Sequence, residues 1–159
     1  ESVKTGEHIG TLTIEPFTAM AKAAGFKILE SSLQTVKAYQ GGSFAARKNW
    51  AKGNSEALLG FITGYLDSLE WTLDSENRQT ATEILLRNMP NINAKSIDKV
   101  MDKLLSPDTG LTPFARIDQN GFNTVLELRS RYGGRQLSDP SKYLDLTYYQ
   151  QAKEHHLSS

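Results

Sequence analysis

Two short stretches of this 159-residue sequence carry groups that a ligand could use. The first is Thr11-Leu12-Thr13-Ile14-Glu15-Pro16-Phe17, read as a strand, a loop and the start of a helix. Hydroxyls of Thr11 and Thr13, the Glu15 carboxylate and free helix N–H groups converge at such a join. The C-terminal end of a strand is also where open α/β sheets bind ligands. The second is Tyr39-Gln40-Gly41-Gly42-Ser43, which offers an aromatic face, an amide and exposed backbone. A Gly-Gly pair inside an extended run points to a bend or to close approach by another group. Both stretches also read as an ordinary turn and an ordinary glycine bulge. Thr13, Glu15, Tyr39, Gln40, Gly41, Gly42 and Ser43 are the candidate ligand-binding residues.

Other chemistry is weaker. With no cysteine, disulfide frameworks, Cys-ligated zinc, iron–sulfur clusters and Cys nucleophiles are excluded. Arg116 to Glu127 resembles a calcium loop in placing Asp118, Asn120, Gly121 and Glu127, but Arg116 stands where the site needs a carboxylate. Asp118 reads better as a helix N-cap. His155 and His156 are adjacent in a polar tail and point about 100° apart on a helix, so they read as a fraying end. His8 is read as structural. Gly-x-Ser-x-Gly, Walker and Gly-x-Gly-x-x-Gly motifs are absent. Asp67, Glu70 and Asp74 oppose a leucine stripe, as a solvated face does. No catalytic residue, metal ligand or cofactor is expected, and the chain reads as a non-enzyme.

Composition sets further limits. The chain has 18 basic and 18 acidic side chains, and neither sign is segregated, which gives no electrostatic footprint for nucleic acid. No apolar run approaches the roughly 18 residues of a membrane span. Residue 1 is Glu, so the expectation is a removed leader or a piece of a longer protein.

The elements that position the candidate residues fall into two textures. Up to about residue 46 the pattern predicts β-α-β-β. His8–Ile14, Phe26–Leu29 and Ala38–Arg47 are strand candidates, and Phe17–Ala24 is a helix stopped by Gly25. Residues 47–159 read as helical. Asn54 is a candidate cap for a long helix carrying Leu58, Phe61, Ile62, Tyr65, Leu66, Leu69 and Leu73 at spacings of three and four. Asp74 or Ser75 starts a second helix, which Pro90 stops. Asn93 starts a third with Ile97, Val100, Met101, Leu104 and Leu105 inward. Asp118 starts a fourth, ended by Gly133-Gly134. A last short helix is expected in the Tyr-rich tail.

In this order the residues resemble the substrate-binding proteins of ABC importers, in the nitrate/sulfonate/taurine/thiamine-pyrimidine branch. The matching stretches are Gly6–Gly10 leading to Glu15-Pro16-Phe17, Ala24-Gly25-Phe26-Lys27-Ile28-Leu29, and Tyr39–Gly42 running to Ala46-Arg47-Lys48-Asn49-Trp50. They continue through Asp74–Arg78, Thr109–Pro113 and Asp139–Leu146.

The resemblance covers the C-terminal half of such a protein. It implies an α/β chain, part of a type II periplasmic-binding-protein-like fold. Residues 1–46 would end the second lobe and cross the hinge, and residues 47–159 would pack on a first lobe. It implies an extracytoplasmic or periplasmic solute-binding component, held at the membrane by its transporter or a lipid anchor. Its partners would be a small polar solute, the transporter permease, and the missing N-terminal lobe or a second chain, with no nucleic acid. Glu15, at a helix start where the family often has an uncharged residue, would disfavour nitrate or sulfonate and suit an amine, amidine or aminopyrimidine. The alternative is a helical protein–protein interaction module using the Leu58/Ile62/Leu69 face.

Overall fold

Asn93 and Asp118 start helical structure, as their residue types demand. The Asn93 side chain accepts from the Lys95 N–H at 2.9 Å, and Asp118 from the Asn120 N–H at 3.0 Å. The computed structural model describes residues 2–137 and 139–158, apart from the side chain of Leu33. Its helices are α1 (Phe17–Ala23), α2 (Ser32–Val36), α3 (Lys48–Gly53), α4 (Ser55–Leu73), α5 (Arg78–Asn88), α6 (Ile97–Leu104), α7 (Gln119–Gly133) and α8 (Thr147–Leu157), with short 3-10 turns between several of them.

Helix ends follow the sequence. Helix α1 stops before Gly25, whose φ of +86° suits glycine alone. Helix α5 ends two residues before Pro90. Helix α7 ends on Gly134 in the left-handed region, at φ +65°. Asn54 does stand at the N-cap of α4, but its side chain turns back and donates to the Trp50 carbonyl at 2.9 Å.

No strand occurs among the described residues, so the expected α/β class with its β-α-β-β portion is corrected to an all-helical chain. The physical reason is pairing. A strand persists only if a ladder satisfies its backbone, and short β-branched runs without a neighbour gain nothing from extension. In residues 8–14 local bonds take over. The His8 N–H reaches the Ser2 carbonyl at 3.1 Å, and the Thr11 hydroxyl donates to the Leu12 carbonyl at 3.2 Å. Residues 26–29 and 38–47 are likewise irregular, and α3 follows directly on the second of these runs.

The chain divides into two compact units. One joins the residues up to Leu29 with Glu76–Leu111. Its core is Ala81, Ile92, Ile97, Val100 and Met101, with Met20, Leu85 and Leu86 packed against it. Val100 is 0% exposed, and burial of such a side chain stabilises by about 1.5–3 kcal/mol. The other unit joins Glu30–Ser75 with the residues from Thr112 onward. There α4 buries Leu66 and Leu69, and its principal partner is α8, whose buried Ala152 allows close approach. Phe61, expected on the inward stripe, is largely exposed.

Candidate functional site

The segment Tyr39–Ser43 is seated on the start of α7. The Gln40 side chain accepts from the Asp118 N–H at 3.0 Å and donates to the Gly42 carbonyl at 2.6 Å. One amide thus ties the segment both to itself and to the start of α7. Gly121, buried in the first turn of α7, lets the segment approach. A Cβ there would lie 2.7 Å from Gln40 N and 2.9 Å from the Tyr39 carbonyl carbon. The Asp118 carboxylate is occupied as the α7 cap, which agrees with the cap reading of that residue. Just after this segment, the Phe44 ring meets Phe61 and Tyr65 edge-on, with centroids 5.3 and 5.0 Å away. Gly41, Gly42 and Ser43 stay exposed, and Tyr39 is 47% exposed. An aromatic face, an amide and open backbone therefore share one short arc.

Thr13 and Glu15 belong to the other compact unit. Thr13 is exposed, and its hydroxyl reaches only the Ile14 carbonyl. The Glu15 carboxylate accepts from the Ala19 N–H at 3.2 Å and so occupies the positive end of α1.

A third cluster escaped the sequence reading. His156, expected in a fraying tail, lies on α8 with its side chain only 6% exposed. Its Nδ1 meets Asp67 Oδ1 at 2.6 Å, and its Nε2 meets Glu70 Oε2 at 3.3 Å. Asp67 and Glu70 do sit on a solvated face of α4, yet both turn toward this imidazole. Tyr149, Lys153 and His156 repeat at four and three residues and share one face of α8. That face holds the turn Pro113–Ala115. The Tyr149 hydroxyl donates to the Phe114 carbonyl at 2.8 Å, the Lys153 ammonium lies 5.2 Å from the Phe114 ring centre, and the His156 ring meets Phe114 edge-on at 6.3 Å. Burial pushes the Tyr149 phenol up, and Arg116 partly opposes this. At the other end of α8, Asp145 accepts from the Thr147 hydroxyl at 2.7 Å and from its N–H at 3.1 Å. These bonds, the hydroxyl's first, hold its carboxyl below the usual value.

Between α4 and α8 runs an open groove of ≈ 490 Å³, lined by Leu59, Gly60, Thr63, Gly64, Asp67, Gln151, Ala152 and His155. The cavity beside Met20 and Ile92 measures ≈ 10 Å³, too small for a solute. No group of three metal-donor side chains forms a metal site among the described residues, and no described helix is long and apolar enough to cross a membrane.

No family model matches the chain, and no solved structure does. A curated relative, a hyaluronoglucuronidase of Hirudo nipponia, is 27% identical over 120 residues, covering 66% of this chain. The chain spans 24% of that protein's length. An enzyme thus stands among the relatives of a chain whose own residues read as a non-enzyme.

Proposed function

We propose that the chain is part of the solute-binding component of an ABC importer, working outside the cytoplasm and passing a small polar solute to the permease. The order of the resembling stretches along the sequence supports this reading. So does where the later ones fall: Asp74–Arg78, Thr109–Pro113 and Asp139–Leu146 are the joints at which helices begin or turn. Asp139 and Asp145 there both accept backbone N–H bonds, from Ser141 and Thr147.

The observation that carries the reading is the seat of Tyr39–Ser43 on α7. Gln40 and Gly121 hold the arc in place and leave its polar backbone open. Binding there makes and breaks no covalent bond. The solute would be held by hydrogen bonds and released when the protein opens. The resemblance implies a cationic or hydrogen-bond-donating solute, such as an amine or aminopyrimidine, rather than nitrate or a sulfonate.

The test is thermal unfolding of the full gene product against amines, aminopyrimidines, sulfonates and nitrate. A ligand present at 100 times its Kd adds about 2.7 kcal/mol of stability. An amine or aminopyrimidine should raise the Tm, and Gln40→Ala should weaken that rise. No shift with any solute overturns the reading.

The Hirudo relative favours a second reading, that the chain is part of a glycoside-cleaving enzyme. Such enzymes place two carboxyl groups on either side of the scissile bond. Asp67 and Glu70, the carboxylates brought together here, have an imidazole between them instead. Release of reducing ends from hyaluronan by the full gene product would favour this second reading.

A further inference from the structure

We infer that residues 44–52, together with Phe61 of α4, form a surface that docks on the anionic face of a lipid bilayer. Over the whole chain the two signs balance, but residues 31–55 carry Lys37, Arg47, Lys48 and Lys52 and neither Asp nor Glu. All four residues are exposed, and among the described residues none of them forms an ion pair. Asp145 lies within reach of the Lys48 charge, yet its own carboxylate is taken up by the Thr147 hydroxyl and N–H. Cations left without carboxylate partners are drawn to a negatively charged surface, by about fivefold in partition for each lysine or arginine.

The same stretch keeps apolar rings in water. Phe44 is 69% exposed, and Phe61 and Trp50 are about half exposed. One exposed ring needs no explanation, whereas several in a stretch of cations mark a place of contact. Phe44, Phe61 and Tyr65 meet edge-on, which builds an apolar knob rather than the flat ring faces on which nucleic-acid bases stack. Lysine and arginine around Trp and Phe are the makeup of segments that settle at a membrane interface. The fold presents this stretch ready-made. The Gln40 side chain ties the preceding arc to α7, and the Tyr148 hydroxyl of α8 donates to the Ala51 carbonyl at 3.2 Å. With Ala51 buried, α3 leaves Asn49, Trp50 and Lys52 on its exposed side. Phe61, whose spacing predicts an inward place, thereby gains a partner.

Co-sedimentation of the full chain with vesicles of phosphatidylcholine, alone or mixed with phosphatidylserine, tests this. Binding should need the phosphatidylserine and weaken with added salt. The pair Lys48→Gln and Lys52→Gln should lower the partition roughly tenfold to thirtyfold. Lys99→Gln with Lys103→Gln removes the same charge from exposed positions of α6 and should leave binding nearly unchanged. Phe44→Ser changes an exposed side chain and should lower the partition about tenfold. With Trp71→Phe as the background, Trp50 emission should move to the blue on binding. The proposal is overturned if phosphatidylserine vesicles do not bind, if Phe44→Ser binds as the parent does, if the α6 pair costs as much as the α3 pair, or if Trp50 emission stays fixed. Capture by heparin or single-stranded RNA without vesicle binding overturns it too, because the cations would then serve a soluble polyanion.

Discussion

The Gln40 side chain accepts a hydrogen bond from the backbone N–H of Asp118, joining residues 78 positions apart in the sequence. The bond sits where α7 begins, next to the one glycine of that helix's first turn. An extended segment rich in glycine is ordinarily free to wander. Here its backbone lies close enough to α7 that position 121 has no room for a side chain.

Gly121→Ala should therefore cost about 1–3 kcal/mol, the usual penalty of forcing atoms into a filled space. The added methyl would meet backbone atoms of Tyr39 and Gln40, which cannot swing aside as a flexible side chain does. Urea unfolding would show this as a lower midpoint at unchanged slope. A neutral substitution would mean that the segment does not rest on α7.

Asp145 sets the acid side of stability for α8. Its folded carboxyl is held below the ordinary value by the Thr147 hydroxyl and N–H. A depressed carboxylate contributes stability that is complete above its unfolded pKa and is lost as pH falls through the folded one. Helicity monitored by circular dichroism should accordingly drop at a higher pH in Asp145→Ala than in the parent. The two proteins would coincide at the lowest pH, where the parent carboxyl is protonated as well. Equal acid midpoints would show that the two Thr147 bonds contribute nothing.

Tyr149 should deprotonate above an ordinary tyrosine, because its phenol is partly withdrawn from water. Arg116 is the opposing influence, since a nearby cation favours the phenolate. Arg116→Ala should push the titration further up, as followed by tyrosinate absorbance with Tyr149→Phe as the reference. A downward move would mean that the guanidinium does not act on this ring.

The helical part of the fold was legible because its signals are local. Asn93 and Asp118 declared helix starts, Pro90 and Gly134 declared ends, and Val100 and Met101 lie inward as their spacing requires. The first forty-odd residues misled for the opposite reason. Ile9, Thr11 and Thr13 have β composition, but extension is decided by a partner strand, and composition carries no information about one. Helix α3 went unseen because its six residues bury only Ala51 and show no periodicity. Of the candidate site, the Gly41-Gly42 pair suggests a bend or a close approach, yet both glycines have room around them and the close approach lies at Gly121; neither that contact nor the anchor on Asp118 has a local signal. The pairing of His156 with Asp67 and Glu70 spans more than eighty residues. The sequence offered only the three-residue spacing of the two acids, which puts them on one helix face.

Ile9 is 108% exposed and Leu12 96%, in a run whose alternate positions carry threonine. Such a run, with few of its amides engaged, is the kind of template on which chains adhere to one another. Concentrated solutions of the isolated polypeptide should cloud first when sulfate is added, since that salt strengthens apolar association. Lysine at position 12 should keep them clear.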